Sequence, residues 1–160
     1  MDLTIKNYIR PGLRAHLVGI GGVSMAPLAE VLLGKGVVVT GSDLHESASV
    51  LHLRALGIPV TIGHLPQSVQ GADCVIRTAA VHDDNPEIAA AHAAGIPVFE
   101  RAQAWGALMS HYPNALCISG THGKTTTTSM CTHIFLAAGR DPSVMIGGTL
   151  PILGCGHRVG

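Results

Sequence analysis

Seven consecutive residues, Gly120-Thr121-His122-Gly123-Lys124-Thr125-Thr126, combine two glycines, a lysine and three threonine hydroxyls. Such a loop can cradle phosphate oxygens with its backbone N–H groups. Lys124 can place its ammonium on the terminal phosphates of ATP, and the Thr125 hydroxyl can ligate Mg2+. Only two residues separate the glycines, fewer than in the standard P-loop, so the context has to support the reading. It does: the apolar run Ala115–Ser119 predicts a strand leading into the loop, and a helix starts at the lysine. A second glycine-rich loop, Gly19-Ile20-Gly21-Gly22-Val23-Ser24, follows an earlier apolar run, and Asp43 follows the next one. Glycines there permit a tight turn and close approach to a phosphate, and an acid at that place in a dinucleotide fold meets a ribose hydroxyl. Ser24 stands where the fingerprint has Gly or Ala, and Gly22 is extra. The plainer alternative is that these glycines only let strand and helix pack closely. Two such loops imply two phosphorylated ligands: ATP at one, a dinucleotide or nucleotide-sugar at the other.

The elements that position these loops alternate. Strands are expected at Ala15–Ile20, Val37–Thr40, Pro59–Ile62, Cys74–Thr78 and Val98-Phe99. Helices are expected at Ser24–Leu33, Ser47–Leu56, Pro86–Ala94 and Ala102–Ser110. This predicts an α/β fold: a Rossmann-like parallel sheet with helices on both faces. The turn-rich stretch His111-Tyr112-Pro113-Asn114 marks a boundary, dividing residues 1–112 from residues 113–160. After it come the strand Ala115–Ser119, the P-loop, a helix Thr125–Ala138 and a strand Ser143–Ile146. Residues 147–160 show no periodic element. A P-loop sheet needs more strands than this stretch holds, so the chain is expected to be a fragment carrying the incomplete start of a second α/β domain.

Composition narrows the function. Apolar residues make up 47% of the chain and charged residues 12%, which predicts a well-buried core. The net charge is zero without a basic stripe and aromatics are scarce, which argues against nucleic acid as a partner. The four cysteines lack C-x-x-C spacing, and the ten histidines include no H-E-x-x-H, so neither a zinc site nor a dithiol motif is indicated. Cys74 and Cys117 lie in apolar runs and are expected to be buried thiols. No signal peptide or membrane-length apolar run is visible, which predicts a cytoplasmic protein without a membrane partner.

The run His16–Met25, then Gly41-Ser42-Asp43, Gly63-His64, Asp84-Asn85-Pro86-Glu87, Ile96-Pro97-Val98 with Arg101-Ala102, Gly120–Ser129 and Ile146-Gly147-Gly148 together resemble the Mur ligases. The resemblance covers nearly the whole chain from His16 onward and is nearest to the branch that adds L-alanine. It implies a three-domain ATP-dependent ligase of bacterial peptidoglycan synthesis. The N-terminal domain would bind UDP-N-acetylmuramate and the central domain ATP, and a C-terminal domain would take L-alanine. The substrate carboxylate would become an acyl phosphate, which the amine attacks to form the amide. On this resemblance Gly19, Gly21, Gly22, Val23 and Ser24 hold the UDP pyrophosphate, Asp43 meets the uridine portion, and His64, Asn85 and Arg101 line the substrate site. Turn chemistry for His64 and Asn85, and a helix-start role for Arg101, are the plainer alternatives. Two other functions fit part of the pattern. An NAD-binding Rossmann regulatory module leaves the P-loop unexplained, and a P-loop kinase or GTPase fragment leaves the first domain unexplained. Alone, the chain is expected to lack ligase activity, and its oligomeric state is not readable from the sequence.

Overall fold

A computed structural model describes residues 4–160. The chain divides into two compact units, residues 1–112 and 113–160.

The first unit is a five-stranded, wholly parallel sheet in the order β3-β2-β1-β4-β5. Its strands are β1 (Arg14–Val18), β2 (Val38–Asp43), β3 (Val60–Ile62), β4 (Cys74–Arg77) and β5 (Val98–Glu100). Alternation along the strands sends side chains to two cores. Ala15, Leu17, Cys74 and Ile76 face α1 (Ala26–Gly34), α2 (Ala48–Ala55) and α4 (Arg101–Met109). Val18 and Val75 face α3 (Pro86–Ala93) and the 3-10 turn Pro66–Val69. Helices therefore cover both faces, as the alternating pattern predicts. Leu17, Ile20, Leu28, Leu32 and Ile76 are completely buried, and burying each side chain contributes roughly 1.5–3 kcal/mol.

Local chemistry starts the helices. The Ser47 hydroxyl accepts from the Val50 N–H to cap α2, and Asn85 Oδ1 accepts from the Glu87 N–H to cap α3 ahead of Pro86. Glu100 and Gln103 form a reciprocal capping box on α4. β1 is central. From it the chain winds outward through β2 and β3 on one side, then crosses back to β4 and β5 on the other. The loop after β1 thus sits at the carboxyl end of the sheet where the winding reverses, the place where open α/β sheets bind ligands.

The second unit contains α5 (Lys124–Ala137) and an antiparallel pair, β6 (Val144–Leu150) and β7 (Cys155–Arg158). Two expectations fail here. Residues 115–119 form no strand, and Cys117 is exposed rather than buried. A strand exists through its neighbours' hydrogen bonds, and β6 and β7 pair only with each other. Residues 147–160 do form regular structure: β6 runs on to Leu150, a turn at 151–154 reverses the chain, and β7 returns. Arg158 secures this return by donating to the Pro142 carbonyl at 2.8 Å and pairing with Asp141.

Candidate functional site

The first glycine loop is tied to the end of β2. Gly19 has φ +77°, a conformation that favours glycine, and a Cβ there would lie 2.8 Å from Thr78 Cγ2. Gly19 and Ile20 N–H both donate to the Ser42 carbonyl at 2.9 Å. Gly21 N–H donates to Asp43 Oδ2 at 2.8 Å. Trp105 Nε1 on α4 donates to the Ser24 carbonyl at 3.2 Å, fixing the far side of the loop. The amides of Val23 and Ser24 make no hydrogen bond among the described residues, and Val23 is 72% exposed. They are the loop's available donors, immediately before α1.

Asp43 is engaged within the loop itself. Its Oδ2 accepts from Gly21 and its Oδ1 from the His45 N–H at 3.2 Å, so its carboxylate shapes the loop. Asn85 serves as the α3 cap, the turn chemistry that was its plainer alternative. Arg101 is the half-buried first residue of α4. His64 is not a turn residue of that plain kind: its Nδ1 lies 2.9 Å from Glu87 Oε2 and 3.1 Å from Ser42 Oγ.

That contact belongs to a buried polar cluster whose centre, Glu87, carries no assigned role in the sequence reading. The Ser42 hydroxyl donates to Glu87 Oε2 at 2.5 Å. His16 Nδ1 meets Thr40 Oγ1 at 2.9 Å, and its Nε2 lies 3.5 Å from Glu87 Oε1. That last separation is within ion-pair reach but outside hydrogen-bond geometry, so both atoms lack a hydrogen-bond partner. Burial pushes the Glu87 carboxyl up, but His16, Ser42 and His64 outweigh it and hold the group below its ordinary value, ionised at neutral pH. The sequence signals were a glutamate in the first turn of an alanine-rich helix and a histidine inside an apolar strand.

In the second unit, Gly120, Thr121, His122, Gly123, Lys124, Thr125 and Thr126 are all exposed. Gly123 takes φ +79° and caps α5 without a side-chain acceptor. Intrahelical bonding starts only with the Thr127 N–H on the Gly123 carbonyl, so the amides of Lys124, Thr125 and Thr126 stay available. Lys124 Nζ folds over the loop, donating to the carbonyls of Gly120 and Thr121 at 2.5 and 3.2 Å. Thr125 Oγ1 lies beside Gly147, 3.5 Å from where a Cβ would stand.

A family model described as Mur ligase family, catalytic domain, matches residues 14–113. The chain belongs to the Mur ligase family. The matched stretch is the parallel-sheet unit of this Mur ligase chain and ends before the loop Gly120–Thr126. The chain is 47% identical over 145 residues to a UDP-N-acetylmuramate–L-alanine ligase of Acetivibrio thermocellus, covering 91% of this chain and 31% of that protein. Among solved structures, the UDP-N-acetylmuramate–alanine ligase of Thermotoga maritima matches with a TM-score of 0.84 at 34% identity, over 92% of this chain and 35% of that one. A murein peptide ligase of Psychrobacter arcticus matches with a TM-score of 0.83 at 28% identity, over 93% and 34%. The chain spans about a third of the length of the curated relatives it matches.

Proposed function

We propose that this chain is the UDP-N-acetylmuramate-binding and ATP-phosphate-binding part of a cytoplasmic, ATP-dependent UDP-N-acetylmuramate–L-alanine ligase of bacterial peptidoglycan synthesis. The observation that carries the reading is the pair of amide-rich loops on two separate units, Gly19–Ser24 and Gly120–Thr126. Two loops that can each take a phosphorylated ligand suit a reaction that phosphorylates the carboxylate of one nucleotide-linked substrate at the expense of another nucleotide. The choice of L-alanine rests on the higher identity to alanine ligases than to the murein peptide ligase.

The first loop would take the UDP pyrophosphate on the Val23 and Ser24 amides, with Asp43 holding Gly21 in place. In the second unit the amides of residues 124–126 would receive the ATP phosphates. Lys124 would exchange its loop carbonyls for phosphate oxygens and offset the charge that grows during phosphoryl transfer. Among the described residues no group of three His, Cys, Asp or Glu side chains could hold a metal. A magnesium ion that keeps its waters and binds phosphate oxygens needs few protein ligands, so the Thr125 hydroxyl beside Gly147 fits it. Bound there, Mg2+ would neutralise phosphate charge. Formation of the amide from the acyl phosphate and L-alanine belongs to the intact ligase, and this chain alone is expected not to complete it.

The test is calorimetric titration of the chain with UDP-N-acetylmuramate, UDP and NAD. UDP-N-acetylmuramate should bind more tightly than UDP, and NAD should not bind. Tight NAD binding without UDP-sugar binding would replace this reading with an NAD-binding regulatory module.

A further inference from the structure

Resting on that reading of the first loop, we propose that Glu87 is a positioning residue of the sugar-nucleotide site: with Ser42 it fixes His64 as an Nδ1–H tautomer and leaves Nε2 for the bound ligand. Three observations converge on it.

The first is the hydrogen-bond pattern. Glu87 Oε2 lies 2.9 Å from His64 Nδ1 and receives the Ser42 hydroxyl at 2.5 Å. The carboxylate can only accept, so Nδ1 must donate. His64 Nε2 then has no partner among the described residues, and the side chain is 13% exposed while Glu87 is fully buried. A ring held by one nitrogen against a buried carboxylate and partly open to solvent resembles the arrangement that orients histidines at metal and catalytic sites.

The second is connectivity to the glycine loop. The Ser42 carbonyl receives the Gly19 and Ile20 amides, while its hydroxyl serves Glu87 beside His64. The Asp43 side chain holds the Gly21 amide, while its carbonyl receives the Gly63 N–H at 2.8 Å, one residue before His64. The same two residues of β2 therefore set both the loop and the histidine. All of it lies at the carboxyl end of the sheet.

The third is that a fully buried carboxylate is costly unless it is paired and hydrogen-bonded, and the partners of Glu87 are the residues that set His64. Glu87 sits in the first turn of α3, where the helix dipole favours its charge. Yet its Oε1 still lacks a hydrogen-bond partner, and the His16 Nε2 facing it lacks one too. Removing the carboxylate would leave the Ser42 hydroxyl and the His64 Nδ1–H without their acceptor, which ties Glu87 directly to the state of His64.

Three measurements on this chain test the proposal. Imidazole 15N spectra of the unaltered protein should show neutral His64 as the Nδ1–H tautomer. An Nε2–H tautomer overturns the proposal whatever the ligand proves to be. Glu87→Gln and His64→Ala should each weaken UDP-N-acetylmuramate about tenfold, and the double variant should lose no more than either alone. Additive losses, or a Glu87→Gln variant that binds like the parent, overturn it as well. If the unaltered chain ignores UDP-N-acetylmuramate, the functional reading fails, while the tautomer still decides the role of Glu87. Should Glu87→Gln not fold, Ser42→Ala takes its place in the cycle, since it removes the hydroxyl shared by Glu87 and His64.

Discussion

Replacing Gly21 by alanine should damage the fold, whereas the same change at Gly22 should spare it. A Cβ on Gly21 would stand 2.8 Å from Val50 Cγ2, 2.9 Å from Asp43 Oδ2 and 3.0 Å from Ser47 Oγ. None of these yields easily. Val50 is fully buried on α2, Ser47 caps the same helix, and Asp43 is held by the Gly21 amide itself. Overpacking of this kind costs about 1–3 kcal/mol, and weakening a hydrogen bond to a charged acceptor adds up to about 1.5–3 kcal/mol. A total of roughly 2–4 kcal/mol is expected. A Cβ on Gly22 meets only the Gly19 carbonyl at 3.3 Å and Met25 at 3.7 Å, so its cost should stay below about 1 kcal/mol. Trp105, the single tryptophan, reports on this unit alone and touches the loop at Ser24. Urea unfolding followed by its fluorescence should show the midpoint of Gly21→Ala falling by about 1–2 M, with Gly22→Ala close to the parent. Equal midpoints for the two variants, or an unshifted Gly21→Ala, would refute the packing argument. Gly22→Ala is consequently the better probe of how closely a pyrophosphate approaches the backbone, because a loss of affinity there is not mixed with a loss of fold. Gly21→Val would confound the two.

Lys124→Ala should weaken ATP binding to this chain while leaving UDP-N-acetylmuramate affinity within about twofold, since the two loops lie on separate units; calorimetry with each ligand would expose the error if both affinities fell together. In an intact ligase the same change should abolish turnover. The Glu87 carboxyl is held below its ordinary value of 4.5 in the fold. Its contribution is therefore complete above that value and is lost as pH falls through the folded value. The stability gap between parent and Glu87→Gln should narrow as the pH is lowered below the ordinary value of 4.5 in urea melts, and a gap that widens on acidification would reverse the sign of the argument. Burial, with the charge of Asp73 beside it, pushes the Cys74 thiol up to about 12. Mass mapping after brief native alkylation should find Cys117 modified and Cys74 untouched until the unit unfolds.

The sheet unit was readable from the sequence because each element carries its own local signal. Short apolar runs such as Cys74–Ile76 alternate with capped helices, and Asn85-Pro86 announces a helix start without tertiary help. The second unit was harder because its signals are not local. The apolar residues 115–119 look like a strand, but strand formation depends on a partner, and no described strand pairs with them. Conversely β7, read as Cys155-Gly156-His157-Arg158, has no apolar alternation. It forms because the turn at 151–154 and the anchoring of Arg158 bring it against β6.

The candidate site divides along the same line. Glycine loops announce themselves by composition, so Gly19–Ser24 and Gly120–Thr126 are legible in the sequence. What the loops hold on to is not. The analogy with dinucleotide folds points Asp43 to a ribose, and it carries no sign that the carboxylate also accepts from the Gly21 amide. Ser42, His64 and Glu87 lie far apart in sequence and meet only where β2, the end of β3 and α3 pack together. Adjacent residues of a strand point to opposite faces, and here that rule does the joining. Ser42 sends its side chain to the face of α3 and meets Glu87. Asp43 sends its side chain to the other face, toward Gly21 and α2. Two neighbouring positions at the end of β2 therefore control both sides of the sheet's rim. A substitution of Ser42 should act first on Glu87 and His64, and one of Asp43 first on the Gly21 amide, while the backbone carbonyls of both residues still hold the loop and Gly63, a division that the spacing of motifs along the chain does not reveal.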